Sequence, residues 1–133
     1  MKSFYLILLI PFLFSCASKK PASCDQFQKG KFLFRSRGEF EGISIIIERN
    51  DSTQIERGSN GSFTKLSIKW TDSCNYETRL IETNYTLPDS IKEIDKKIPF
   101  KVQILKCTNE YYTFKGKRAG SDFTRIDTLW VQK

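Results

Sequence analysis

Apolar and polar side chains alternate along much of this chain, and the alternation predicts β-strands. The clearest run covers 65–70, where three apolar residues alternate with lysine and serine. Successive side chains of a strand point to opposite faces, so this pattern is typical of a strand with one buried face. The same two-residue period recurs over 30–37, 43–47, 53–55, 74–80, 100–104 and 112–114. The last apolar segment, 123–131, has a mixed period, which predicts a β-bulge.

Turn-forming residues separate these segments and divide the chain into about eight short strands. They occur at 50–51, 58–61, 72–73, 108–110 and 116–120. A meander of this kind has two edge strands, and closing the sheet into a barrel pairs them. The sequence therefore predicts an all-β domain, an antiparallel meander of about eight strands that forms a small barrel or a curved sandwich.

The segment 84–98 departs from the strand pattern and predicts one short helix near 90–97. Pro88 ends the preceding strand because it cannot donate a backbone hydrogen bond. Ser90 and Glu93 have the spacing of a capping box, in which each side chain satisfies the other residue's backbone N–H. Three isoleucines at helical spacing share one face of this helix: Ile91, Ile94 and Ile98.

The N-terminus has the organisation of an export signal. Lys2 precedes an apolar run over 4–14 that Pro11 interrupts. Because a membrane-spanning helix needs about 20 apolar residues, this shorter run predicts a signal peptide over 1–15. The run ends in Leu-Phe-Ser-Cys, which resembles a bacterial lipobox. The resemblance implies that Cys16 carries a diacylglyceryl group, while the alternative is an ordinary cleaved signal that Cys16 merely adjoins.

Lipidation of Cys16 would divide the mature chain into a lipidated tether over 16–23 and a single β domain over 24–133. Several acyl chains give stable membrane attachment, at about 0.8 kcal/mol per buried CH₂. Ala17, rather than aspartate, follows the cysteine, which resembles the sorting pattern of outer-membrane lipoproteins. We therefore expect a cell-envelope protein, held by lipid in the outer membrane and facing the periplasm or the cell surface.

The charge and the residue types present narrow the function classes. The net charge is +7, but the cations are spread along the chain, and export disfavours a nucleic-acid partner. The chain contains no histidine and no Cys-x-x-Cys, which removes the usual general base and the commonest metal ligand. We therefore expect no enzyme activity, no metal, no cofactor and no nucleic acid.

Three cysteines remain for disulfide chemistry once Cys16 is acylated. The periplasm is oxidising, so one bridge with one leftover thiol is expected. Pairing Cys24 with Cys74 is favoured because it ties the N-terminal edge of the domain to its middle. Closing a loop of that length stabilises the fold by about 4 kcal/mol in the chain-entropy model. A bridge between Cys74 and Cys107 is the alternative.

The aromatic residues of the predicted strands have two interpretations. Either they line a ligand cavity or they fill a packed core. The interior of an eight-stranded barrel is only just wide enough for side chains or for one small ligand, which favours the packed core. The candidate lining residues are Phe32, Phe34, Trp70, Tyr76, Tyr112, Phe114 and Trp130.

An Asp-Ser/Thr-apolar pattern occurs three times and resembles the acceptor of a periplasmic O-glycosylation system. The residues that would carry the glycan are Ser52, Ser90 and Thr128. Ordinary turn and cap chemistry is the alternative explanation for the first two.

Three segments, 24–32, 48–56 and 68–76, resemble a family of small Gram-negative lipoproteins that has no established activity. The last of them contains the pattern Trp-x₃-Cys-x-Tyr. The resemblance covers nearly all of the mature chain and implies a compact β domain in which Cys24 and Cys74 pair. Some members carry the label DNA topoisomerase IV, which a chain this short with an export signal does not support.

Two functions fit these features. The Gly-Lys-Phe that opens the first strand resembles lipocalin-type barrels, and this resemblance implies a barrel that binds a small apolar ligand. The alternative is a protein-interaction module, such as an inhibitor or an accessory subunit of an envelope complex. We therefore expect the partners to be a membrane, through the lipid anchor, and either a small apolar ligand or an envelope protein.

Overall fold

The computed structural model describes residues 23–37 and 41–133, so the predicted signal peptide over 1–15 and Cys16 lie outside the described residues. Within that part of the chain, eight strands form one closed antiparallel barrel in chain order, with β8 paired to β1. The predicted all-β barrel is therefore confirmed. The strands are β1 Gly30–Arg35, β2 Ser44–Arg49, β3 Thr53–Gly58, β4 Phe63–Trp70, β5 Asn75–Thr83, β6 Phe100–Cys107, β7 Tyr111–Arg118 and β8 Thr124–Val131.

Two short helices accompany the barrel in the described residues. A 3₁₀ helix at Cys24–Phe27 precedes β1, and the α-helix α1 at Asp89–Lys97 joins β5 to β6. The helix predicted near 90–97 is thus confirmed, but the capping box is wrong. Pro88 occupies the N-cap position, and no side chain caps the helix.

The bulge predicted in the last strand is also wrong. β8 pairs with β7 in unbroken register from Thr124 to Trp130. The mixed period arises because Ile126 and Trp130 are apolar residues on the outer, exposed surface, whereas Leu129 is buried. Two register shifts do occur in the described strands. One lies between Lys65 and Leu66, where β4 pairs with β5, and the other lies between Ile104 and Lys106, where β6 pairs with β7.

The two ends of the barrel differ in construction. The 3₁₀ helix lies across the end where β1 begins, which we call the closed end. The helix α1 lies at the opposite end, where β5 stops and β6 starts, which we call the lidded end. The fully buried side chains Phe27, Phe32 and Tyr112 pack together at the closed end, with ring centroids 4.7 to 6.2 Å apart.

A disulfide between Cys24 and Cys74 fixes the closed end. It joins the 3₁₀ helix to the turn between β4 and β5, with the two Cα atoms 5.1 Å apart. The favoured pairing is therefore confirmed, and the Cys74–Cys107 alternative is wrong. Cys107 is half-buried and packs against the core.

Candidate ligand-binding cavity

A cavity of about 360 Å³ occupies the lidded half of the barrel. This volume lies at the small end of the range of about 300–1,000 Å³ for small-molecule sites. Strand residues whose side chains alternate inward form its wall, and α1 contributes Ile91 from above. The apolar wall includes Phe34, Ile45, Ile47, Leu66, Phe100 and Phe114.

Three of the seven candidate aromatic residues line this cavity: Phe34, Tyr76 and Phe114. Phe32 and Tyr112 are also inward-facing, but they pack beneath the cavity in the closed end. The interior is therefore packed in one half and open in the other.

The two tryptophans lie away from the cavity. Trp70 is half-buried near the closed end, where its ring lies 4.6 Å from that of Tyr76. Its indole N–H has no hydrogen-bond partner among the described residues. Trp130 lies on the outer surface, 41% exposed, with its ring 4.9 Å from that of Tyr111.

The guanidinium of Arg49 forms part of the cavity floor. Arg49 is 6% exposed, and its three nitrogens donate to three different acceptors. Nε donates to Gln54 Oε1 at 2.6 Å, Nη1 to the Phe27 carbonyl at 3.1 Å, and Nη2 to the Tyr76 hydroxyl at 2.8 Å. These bonds tie β2 to β3, to β5 and to the 3₁₀ helix.

Aromatic rings surround the same guanidinium. Its carbon lies 5.1 Å from the Phe32 ring centre, 4.8 Å from that of Tyr76 and 5.6 Å from that of Tyr112. Such cation–π contacts stabilise a cation that has left water. Burial opposes the charge, but the two phenol groups outweigh burial, so the pKa of Arg49 is raised. Arg49 is therefore a permanent buried cation.

Glu56 continues this polar network up the cavity wall. Gln54 Nε2 donates to Glu56 Oε1 at 2.5 Å, so the amide of Gln54 links the carboxylate to Arg49. Burial raises the pKa of Glu56, and the hydrogen bond from Gln54 and the charges of Arg49 and Arg125 only partly offset this. The cavity therefore contains a carboxylate whose charged form is disfavoured.

Two further arginines line the cavity nearer the lidded end. Arg125 lies with its guanidinium carbon 4.6 Å from the Phe34 ring centre and its Nε 3.6 Å from Asp127 Oδ2. Arg118 donates from Nη2 to Asp95 Oδ1 at 2.8 Å. Each of these two cations thus has a carboxylate partner.

The helix α1 is attached to the barrel through its C-terminal part. Asp95, the buried residue of the helix, accepts from the Leu80 backbone N–H at 2.6 Å and from Arg118. Arg79 donates to the carbonyls of Asp95 and Lys96, and a cation at a helix C-terminus is electrostatically favourable. Ile91, near the other end of α1, is 45% exposed although it also lines the cavity.

The polar residues of the cavity were not predicted from the sequence. Ile45 and Ile47 belong to the predicted alternation over 43–47, and continuing their two-residue period leads to Arg49. In β3 the inward positions are polar: Gln54 and Glu56 line the cavity, and Ile55 lies on the other face. A run of polar inward positions is the signal that could have identified this site.

The three candidate glycosylation residues differ in accessibility. Ser52 lies exposed in the turn between β2 and β3, and Ser90 lies exposed in the first turn of α1. Thr128 is half-buried within β8, opposite Thr113 of β7. Glycosylation at these positions remains a prediction.

No helix in the described part of the chain has the length and apolar character needed to cross a bilayer. No group of three or more acidic, cysteine or histidine side chains there has the arrangement of a metal site.

No protein-family model matches this chain, and no curated protein is significantly similar to it. The class of protein is therefore defined by its structure. It is a small closed eight-stranded antiparallel barrel that is disulfide-bonded at one end and contains a cavity beneath a helix at the other.

Proposed function

We propose that this protein is a lipid-anchored, non-enzymatic component of the bacterial cell envelope that binds a small, mainly apolar ligand inside its barrel. The observation that carries the proposal is the cavity of about 360 Å³. A concave site with mostly apolar walls and a few convergent polar groups is typical of small-molecule binding. The helix over its mouth offers a way to cover a bound ligand.

The membrane partner in this proposal rests on the lipobox-like sequence that ends at Cys16. The proposal assigns no catalysis because a chain without histidine lacks the usual general base of hydrolases. Metabolic labelling with a radioactive fatty acid tests the anchor. The wild-type chain should become labelled and Cys16→Ala should not, and equal labelling of both would contradict lipidation at this residue.

Ligand binding can be tested with one pair of neighbouring residues in β2. Ile45 lines the cavity, whereas Ile46 faces outward and pairs with Leu33 of β1. The titration would use the full chain carrying Cys16→Ser, so that neither membrane nor detergent competes for the ligand. The probe is a neutral naphthylamine dye whose fluorescence rises in apolar surroundings.

We expect the dye to bind this chain and to bind the Ile46→Trp variant equally well. Ile45→Trp should abolish binding because its larger side chain fills the cavity. Denaturation curves of both variants establish whether the fold is retained. Absence of dye binding to the parent chain, or binding unaffected by Ile45→Trp, would contradict the proposal.

A second candidate function, docking of a protein partner, is favoured by an apolar row on the outside of the barrel. Trp130 pairs across the sheet with Leu33 on one side and with Tyr111 on the other, and Leu33 pairs with Ile46. Ile126, on the same face of β8, is 67% exposed. Aromatic side chains of this kind are enriched at protein interfaces.

Site-specific photo-crosslinking in cells distinguishes this candidate from the first. A crosslinking amino acid at Ile126 should capture one defined envelope protein, whereas the same amino acid at Lys69, an exposed outer position of β4, should not. Equal products from both positions, or no product from either, would contradict a partner at the apolar row.

A further inference from the structure

Three arginines line the cavity, and only one of them lacks a carboxylate partner in the described residues. Arg118 is paired with Asp95 at 2.8 Å, and Arg125 lies 3.6 Å from Asp127. Arg49 donates to an amide oxygen, a backbone carbonyl and a hydroxyl, all of them neutral. The positive charge that is least balanced by the protein is therefore at the floor of the cavity.

The guanidinium of Arg49 also has unused donor capacity. It carries five N–H groups. Three of them donate to Gln54, Phe27 and Tyr76, and the hydroxyl of Tyr112 is a fourth hydrogen-bond partner. One N–H therefore remains for a ligand. A carboxylate oxygen in the cavity could accept from this group in a charge-assisted hydrogen bond, which is stronger than a bond between neutral groups.

An isolated charge in an apolar interior is costly unless an opposite charge compensates it. The only carboxylate of the floor network is Glu56, which reaches Arg49 through the amide of Gln54. The positive charge of Arg49 is therefore compensated only indirectly. An anionic group of a ligand in the cavity would compensate it directly.

We infer that the cavity takes an amphipathic ligand whose carboxylate contacts Arg49 at the floor and whose apolar chain extends along Phe34, Phe114 and Leu66 toward α1. This inference rests on the proposed function and specifies its ligand class as a medium-chain carboxylate. The composition of the wall fits it, because Arg49 lies at the floor and the apolar side chains of Phe34, Leu66 and Phe114 line the cavity with it. The volume of about 360 Å³ suits a single short chain.

The test compares three ligands with one decyl chain and different head groups: decanoate, decanol and decyltrimethylammonium. Each is titrated calorimetrically at neutral pH into the full chain carrying Cys16→Ser. Because a hydrogen bond to a charged group contributes about 1.5–3 kcal/mol, we expect decanoate to bind at least about tenfold more tightly than decanol. The cationic ligand should bind most weakly.

Two variants locate the head group without depending on removal of the buried arginine. Glu56→Gln keeps an acceptor for Gln54 and removes the carboxyl group that, when ionised, repels the carboxylate of the ligand. Affinity for decanoate should therefore increase, most of all at a pH where Glu56 is ionised, and affinity for decanol should not. A misfolded variant cannot produce that gain. Arg125→Gln removes the lining arginine nearer the lidded end. It tests that alternative position of the head group and should change the ratio of the two affinities little.

The outcomes separate the two proposals. If decanol binds as tightly as decanoate, or if Glu56→Gln weakens decanoate binding, the inference fails although the ligand-binding function stands. If Arg125→Gln removes the preference for decanoate, the head group lies at the lidded end and the inference also fails. If none of the three ligands binds, the proposed function itself fails.

Discussion

The two ends of this barrel are built from the same eight strands but have opposite interiors. At the closed end, aromatic rings and a covalent bond fill the space between the 3₁₀ helix and the strands. At the lidded end, the strands enclose open volume, and a helix with one buried residue, Asp95, lies over it.

This difference between a packed and an open interior indicates which half stabilises the fold and which half can bind a ligand. A packed interior loses contact energy when any side chain is shortened. The lidded half lacks many of those contacts because it contains a cavity, and α1 is attached to it by a few polar bonds. Stability should therefore reside mainly in the closed end, and changes in the lidded end should alter ligand access or affinity at smaller cost.

The largest expected effect is the loss of the disulfide. Replacing Cys24 and Cys74 by alanine opens a loop with a sequence separation of 50 residues. The chain-entropy model gives a loss of about 4 kcal/mol in the free energy of unfolding. Urea denaturation of the double variant against the parent measures it, and a loss below about 1 kcal/mol would mean that the closed end does not depend on its covalent tie.

The next prediction compares two phenylalanines on the same face of β1, two residues apart. Phe32 packs at the closed end and Phe34 lines the cavity. Phe32→Ala should lower the free energy of unfolding by about 3–5 kcal/mol because it leaves a new void in a packed core. Phe34→Ala should cost clearly less, because it enlarges a space that already exists. Equal losses in denaturant titrations would contradict the division of the barrel into two unlike halves.

The third prediction concerns the attachment of α1. Asp95→Ala removes the acceptor for the Leu80 N–H and for Arg118, which should cost about 1–3 kcal/mol. Glu93→Ala is the control, since its ion pair with Lys96 is exposed and should therefore contribute little to stability. Hydrogen exchange should show faster exchange in α1 of the Asp95 variant, with the closed end unchanged. Uniform acceleration over the whole barrel would argue against a separately attached helix.

The same comparison explains which features could be predicted from the sequence. The barrel and the short helix follow from two-residue alternation and its interruption over 84–98, because backbone periodicity is local. The packing role of Phe32 and the lining role of Phe34 could not be separated, because both occupy inward positions and differ only in height along the barrel. The inward positions of Arg49 and Glu56 could not be predicted from alternation of apolar residues, because both side chains are polar. Trp130 was placed inside because a large aromatic residue on an outer face has no local signature.

The smallest expected effect is the pH dependence contributed by Glu56. Burial raises the pKa of this carboxyl in the folded protein, against the opposing influence of Gln54, Arg49 and Arg125. The folded state therefore binds a proton before the unfolded state does as the pH falls. The free energy of unfolding of the parent chain should accordingly increase, relative to that of Glu56→Gln, as the pH falls from neutral through the folded-state pKa of Glu56. Urea denaturation of the two proteins across that range measures the difference. The prediction fails if this difference in the free energy of unfolding does not change with pH, or if acidification makes the parent chain less stable relative to Glu56→Gln. Either result would mean that Arg49 and Arg125 already compensate the charge of Glu56. An anionic ligand would then not be needed to balance the charge of Arg49.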